Sequence, residues 1–255
     1  MPSDWHSVTA LPPLEPNELQ LWRINLSEAT EDEGAYRKHL SPTELARADR
    51  LRAGQVRLQF LVARSALRVL LSNLFNLPPT QVPITLNPYG KPETPPLNGL
   101  QVFFNCAHSR ETILIGLCRT SEIGLDVEYL DRSADSLEIA RNSFAPNEFR
   151  AIELSANPAE RQRLFFHCWT RKEAVIKADG RGLSIPLSTL EVPVASAANS
   201  TPVLVQENTV VRTWFVSDIS LGDELAAAFA TSVPELTPHT FTFPTHLLSG
   251  DSLGT

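Results

Sequence analysis

One strand-like and one helix-like stretch decide how this chain folds: Gly124-Leu125-Asp126-Val127-Glu128 and Trp169-Thr170-Arg171-Lys172-Glu173-Ala174-Val175-Ile176-Lys177. In the first, apolar and acidic residues alternate. Residues two apart on a strand share a face, so Asp126 and Glu128 stand side by side. Two adjacent carboxylates repel, and a hard cation such as Mg2+ relieves that repulsion. A lone D-x-E pair equally describes two solvated acids on an exposed strand. In the second stretch, Trp169, Glu173 and Lys177 fall at i, i+4 and i+8 and share one helical face. Taken alone, that spacing is also met by a core tryptophan beside a surface Glu–Lys pair worth roughly 0.3–0.5 kcal/mol.

Working outward, the helix that holds Trp169 opens at the capping signal Asn157-Pro158-Ala159-Glu160, runs to about Lys177, and ends at Gly180-Arg181-Gly182. Short strands are expected over Gln101–Ala107, Thr112–Arg119 and Gly124–Glu128, with helices resuming after Asp135. Upstream, Ser41-Pro42-Thr43-Glu44 reads as a capping box with proline at the first helical position. A longer helix follows Gly54, with Phe60, Ala63, Leu67, Leu70, Leu71 and Leu74 on one face, and stops at Leu77-Pro78-Pro79. Leu19–Leu26 reads as a strand after a Pro-rich, extended lead-in. Val203–Val205, Val210–Val216 and Leu225–Ala230 read as antiparallel strands. The order is strand, helices, strands, then helices, strands. It predicts an α+β chain of two similar halves, residues 1–122 and 123–233, followed by an extended or mobile tail over 234–255. No internal repeat is visible.

Composition narrows the class. The chain has 255 residues, 22 basic against 29 acidic side chains and a net charge of −7. An apolar content of 42% supports a sizeable core. The acidic balance argues against a general nucleic-acid binder. No apolar run is expected to reach the roughly 20 residues that cross a bilayer. Met1–Leu14 lacks the basic and apolar regions of a secretory signal, so a cytoplasmic location is expected. Cys106, Cys118 and Cys168 form no C-x-x-C pair and read as reduced apolar residues.

Two further motifs complete the pattern. Phe104-Asn105-Cys106-Ala107-His108-Ser109 ends a strand with a histidine able to donate to phosphate. Gly90-Lys91-Pro92 is a turn bearing a cation. The four motifs lie in the order 90–92, 104–109, 124–128 and 169–177. In that order the sequence resembles the Sfp-type 4′-phosphopantetheinyl transferases. Their signature reads approximately G-K-P, F-N-x-S-H-S, G-[IV]-D-[IV]-E and F-x-x-x-W-[ST]-x-K-E-[AS]-x-x-K. The resemblance extends from about Ser41 to Leu187, and more loosely to Ala230. Ala107 stands where the family commonly has serine, and Leu125 where it has Ile or Val; losing the serine hydroxyl removes a candidate phosphate contact.

The resemblance implies a pseudo-twofold fold of two α+β halves, the first on the nucleotide side and the second carrying the metal motifs. It implies transfer of the phosphopantetheine arm of coenzyme A to a serine of an apo acyl or peptidyl carrier protein, with release of adenosine 3′,5′-bisphosphate. Such carriers serve fatty-acid, polyketide and peptide synthesis. By the same resemblance Asp126, Glu128 and Glu173 would hold Mg2+, with Mn2+ an alternative. Glu173 is also the candidate base, directly or through water. Lys177 would bind and neutralise the leaving phosphate and is a candidate to protonate it, while Lys172 would assist at the pyrophosphate. Arg50, Arg57, Arg64 and Arg68 recur at near-heptad spacing, with Arg47 one turn before Arg50, and the pattern also suits a solvated face. By position Arg47 and Arg64 would bind the 3′-phosphate. Lys91 and His108 would join them, and Gly90 and Pro92 would shape the adenine pocket. Glu148 matches a family position near the active site but is equally an ordinary first-turn glutamate. A monomer is expected, because one chain supplies every motif, with neither nucleic acid nor membrane as partner.

Two rival readings remain. A metal-dependent nuclease can use an acidic pair with a nearby lysine, but it needs a broad basic surface that a chain of pI near 5.4 does not provide. A coenzyme A- or carrier-binding module without chemistry is the non-enzyme alternative, and three retained carboxylates plus Lys177 count against it.

Overall fold

Alternation along the strands sets the layers. The computed structural model describes residues 5–131, 135–195, 197, 200–207 and 209–249. In the first half, β1 (His6–Ser7) and β2 (Glu18–Asn25) precede α1 (Glu33–Arg37), α2 (Pro42–Arg50) and α3 (Gln55–Phe75). The small hairpin β3 (Thr85–Leu86) and β4 (Pro92–Glu93) then leads to β5 (Phe103–Ser109) and β6 (Thr112–Cys118). In β2, Trp22 and Ile24 face α3, whereas Leu19 and Leu21 face the opposite way, as period-two geometry requires. Ser41 caps α2 in a full capping box with Glu44. Asn76, in the left-handed conformation, ends α3 just before the proline pair.

The second half begins with β7 (Ile123–Tyr129). It continues through α4 (Ser136–Ser143), α5 (Pro146–Glu153), α6 (Pro158–Asp179), β8 (Thr201–Glu207), β9 (Val210–Asp218) and β10 (Leu225–Thr231). Its sheet has the order β7-β10-β9-β8, all antiparallel. Ile123, Leu125 and Val127 of β7, with Ala227 and Phe229 of β10, join Leu19, Leu21 and Leu114 in a core between the two sheets. Ala226, Ala228 and Ala230 turn to α6 instead. The layers therefore run α3, first sheet, second sheet, α6. A mixed α+β architecture follows directly.

Two expectations need correction. The tail is not a loose appendage as far as residue 249. Thr237–Thr242 forms β11, which pairs in parallel with β2 and receives β1 on its other side. Phe241 stacks on Trp22 with ring centroids 4.7 Å apart, and Phe243, Leu247 and Leu248 enter the core under α3, the last two from α7 (His246–Ser249). The alternation Thr240-Phe241-Thr242-Phe243 is a strand pattern that the surrounding Pro, Ser and Thr residues obscure. Residues 250–255 lie outside the described part. Secondly, α3 is in fact long and apolar enough, by length and composition, to cross a membrane. It is the core helix of the first half, burying Leu61, Val62, Leu67, Leu70, Leu71 and Phe75, and its Arg68 is buried against Glu44.

Candidate active site

Gly124 brings the two deciding stretches together. A Cβ there would sit 2.0 Å from the Ala174 carbonyl oxygen and 2.2 Å from the Ala178 amide nitrogen, so only glycine lets α6 lie directly on β7. Across that contact Asp126 and Glu128 of β7 meet Glu173 and Lys177 of α6. Lys177 Nζ lies 2.5 Å from Asp126 Oδ1. Asp126 Oδ2 is buried and has no hydrogen-bond partner. Burial pushes the Asp126 carboxyl up to about 7; the lysine opposes this, and the charges on Glu128 and Glu173 add to it. Burial likewise raises Glu173, with Lys177 opposing and Glu128 adding. All three carboxylates thus feel one another. Among the described residues no group of three or more acidic, histidine or cysteine side chains is placed so that it could hold a metal ion. The orphaned Oδ2, in a carboxyl that feels the charges of Glu128 and Glu173, nevertheless suits a small divalent cation, which would relieve both the desolvation and the repulsion.

The strand β5 borders this site. Asn105 Oδ1 accepts the Leu125 N–H at 3.0 Å, and Ser109 Oγ donates to Glu128 Oε2 at 2.9 Å. His108 is exposed and held below the usual imidazole value, chiefly by desolvation, with Lys177 adding and Glu128 opposing. The Cys106 thiol is pushed up to about 11 by burial and feels both Arg64 of α3 and Lys177 of α6. Arg64 of the first half and Lys177 of the second therefore flank the same strand. A groove of about 330 Å3 opens beside Glu128, walled by Phe165, Phe166 and Trp169.

Comparison with known proteins meets this geometry. The sequence model of the 4′-phosphopantetheinyl transferase superfamily matches residues 122–230, the half that contains β7 and α6. The 4′-phosphopantetheinyl transferase HetI of Nostoc sp. is 31% identical over 219 residues, which are 85% of this chain and 88% of HetI. The chain belongs to this superfamily. A Synechocystis sp. protein, slr0495, provisionally named a 4′-phosphopantetheinyl transferase, is 39% identical over 58% of this chain and 60% of its own length. The 4′-phosphopantetheinyl transferase Sfp of Bacillus subtilis is 28% identical over 64% of this chain and 70% of its own.

In this 4′-phosphopantetheinyl transferase superfamily member, Arg47 and Arg64 come together over the Phe60 ring, at 5.2 and 5.9 Å from its centroid. Arg64 also pairs with Glu44 at 3.3 Å. Arg57 donates to the Leu51 carbonyl, and Arg68 is buried against Glu44 and the carbonyls of Pro79 and Val82. The stripe of five arginines thus divides into a convergent pair, two structural members and Arg50, which is exposed. Gly90, at φ +90°, turns the chain so that Lys91 points at the C-terminus of α6. There Lys91 Nζ donates to the Ala178 carbonyl and to Glu122, both at 2.9 Å, while Asn87 donates to the Gly180 carbonyl at 3.2 Å. Lys91 is largely engaged in clasping the helix that bears Lys177, a role its turn-and-cation motif did not disclose. Pro92 lines a separate cavity of about 220 Å3 with Phe103 and Phe104.

Lys172 departs furthest from expectation. It is fully buried and faces away from the site, paired with Glu148 Oε2 at 2.6 Å and donating to the Leu187 and Leu190 carbonyls. Adjacent helical residues point about 100° apart, so Lys172 and Glu173 cannot serve one pocket. Glu148 is engaged in structural contacts: it caps α5 through the Ala145 N–H, accepts the Val192 N–H at 2.8 Å and pairs with Lys172. Arg171 is buried as well, in a two-bond pair with Asp218 at 2.7 Å. Of three consecutive charges, only Glu173 faces the site. Asn105 and Ser109, quoted in a motif without individual roles, prove to join it; their i, i+4 spacing on a strand was the available signal.

Proposed function

We propose that this transferase moves the 4′-phosphopantetheine arm of coenzyme A to a serine hydroxyl of an apo acyl or peptidyl carrier protein, releasing adenosine 3′,5′-bisphosphate. The observation that carries this reading is the buried Asp126 carboxyl, with one oxygen partnerless, the other 2.5 Å from Lys177 Nζ, and the charges of Glu128 and Glu173 felt beside it. Phosphoryl transfer asks a protein mainly for positioning and charge stabilisation, and the site supplies both. Asp126, Glu128 and Glu173 would hold a Mg2+ ion, or Mn2+ in its place, which when bound supplies positive charge to the pyrophosphate oxygens.

The chain's own residues do the rest. Glu173, whose carboxyl is raised above its ordinary value by burial, suits a base that takes the carrier serine's proton. The serine oxygen bonds to the phosphorus that bears the pantetheine arm, and the bond to the bridging oxygen breaks. Lys177, whose side chain is only about a third exposed, neutralises that leaving oxygen and can return a proton to it. Arg47 and Arg64, converging over Phe60, take the 3′-phosphate, with His108 on the same nucleotide. Gly90 and Pro92 border the adenine, and Lys91 contributes through its hold on α6 and any donor capacity left over.

The two halves, each with one long helix on its own sheet, support the pseudo-twofold reading; α3 has 21 residues and α6 has 22. A monomer in the cytoplasm, with neither nucleic acid nor membrane as partner, accords with a single-chain site and unpaired cysteines. The test is to incubate the chain with coenzyme A, Mg2+ and an apo carrier and to weigh the carrier. A mass gain of one phosphopantetheine on serine is expected. Coenzyme A binding with no gain would leave a binding module, and Asp126→Ala with unchanged turnover would refute the site.

A further inference from the structure

Ser109 closes β5 and faces Thr112 across a tight turn in which Arg110 takes φ +48°. The hairpin thus fixes where its hydroxyl stands. Ser109 Oγ accepts the Tyr129 N–H at 3.1 Å and lies 2.9 Å from Glu128 Oε2. A serine hydroxyl has one proton, and an ionised carboxylate only accepts. With the Tyr129 N–H already donating, the hydroxyl proton is committed to Glu128. Four residues earlier, Asn105 makes the corresponding bond to the Leu125 N–H. Position 105 thus meets 125, and 109 meets 129. The two motif strands run side by side in the same direction, joined by side chains rather than by a backbone ladder.

The two stitches differ in kind. Asn105 holds backbone alone in a buried setting. Ser109 holds backbone and one carboxylate oxygen together. We infer that Ser109 is a positioning residue for the transfer reaction, fixing Glu128 Oε2 so that the other oxygen is presented to the cation. A carboxylate at the mouth of a groove otherwise rotates freely about its last torsion, and each unlocked rotor costs a ligand part of its affinity. The inference rests on Glu128 being a cation ligand as proposed above.

Mg2+ is titrated calorimetrically into the chain with coenzyme A bound, for wild type, Asp126→Ala, Ser109→Ala and Ser109→Thr, with thermal unfolding of each measured without metal. Outer partners of metal ligands typically contribute about 10- to 100-fold in affinity. Ser109→Ala is expected to weaken Mg2+ binding by that factor, to leave the KM for coenzyme A at saturating Mg2+ little changed, and to be rescued by Ser109→Thr, which keeps the hydroxyl. Should Ser109→Ala not fold, Ser109→Cys, nearly isosteric and a poorer donor, carries the same expectation. Wild-type affinity in Ser109→Ala, alongside lost binding in Asp126→Ala, overturns the role of Ser109 alone. A lowered melting temperature with unchanged Mg2+ affinity does the same and leaves a backbone stitch. Absence of Mg2+ binding in the wild type overturns both this inference and the metal reading beneath it.

Discussion

Replacing Gly124 by alanine tests the contact on which the site is built. The new Cβ would lie 2.0 Å from the Ala174 carbonyl oxygen, 2.2 Å from the Ala178 nitrogen and 2.9 Å from the Ala178 Cα. Comfortable heavy-atom contact begins near 3.5 Å, so strand and helix must part by more than about 1 Å. The obstacle is helix backbone, which has no alternative rotamer. Overpacking costs typically about 1–3 kcal/mol, and this case belongs at the upper end. For a chain of this size about 3 kcal/mol lowers the melting temperature by roughly 6–12 °C. The same shift separates Asp126 and Glu128 from Glu173 and Lys177, and a displacement of about 1 Å can cost on the order of 100-fold in rate. Melting is followed by calorimetry, and transfer to the carrier by mass, at a temperature where the variant remains folded. Gly116→Ala is the control: the atoms nearest its Cβ would belong to side chains, Ile123 Cδ1 at 2.6 Å and Leu125 Cδ1 at 3.0 Å, rather than to backbone, so it should cost less. A Gly124→Ala chain that melts and turns over like wild type would show that β7 and α6 do not depend on this approach.

Lys172→Met should destabilise the chain by about 3–5 kcal/mol by leaving Glu148 buried and unpaired; a stable but inactive variant in urea titration would instead return Lys172 to the chemistry. The Asp126 carboxyl, raised from 3.8 to about 7 in the folded chain, favours the protonated native state. Its contribution is therefore complete below about pH 4 and is lost as pH rises through about 7, a swing of a few kcal/mol. In chelator, melting temperature should fall over that window, and Asp126→Asn should flatten the curve; parallel curves would contradict the assignment. Arg64→Ala should raise the KM for coenzyme A by about 10- to 150-fold, the worth of a charge-assisted contact, and should affect dephospho-coenzyme A less; equal loss with both would remove the 3′-phosphate role.

The local elements and the two deciding motifs are legible in residue order alone. Capping signals at Ser41 and Asn157 and the left-handed stop at Gly180 set helix ends, because those depend on neighbouring residues alone. Period-two alternation placed Asp126 and Glu128 on one face, and four-residue spacing placed Trp169, Glu173 and Lys177 on another. Which charges meet was decided by tertiary structure. Arg171, Lys172 and Glu173 are consecutive and look alike as a charged run, yet two are buried against Asp218 and Glu148 and one faces the site. Local sequence fixes their angular separation, but the rotation of α6 against β7 is set by the Gly124 contact and by packing between distant elements. The return of β11 to β2 is of the same kind. A strand joins whichever edge buries its alternate residues, and that edge, 219 residues earlier between Thr237 and Glu18, is invisible to any local pattern.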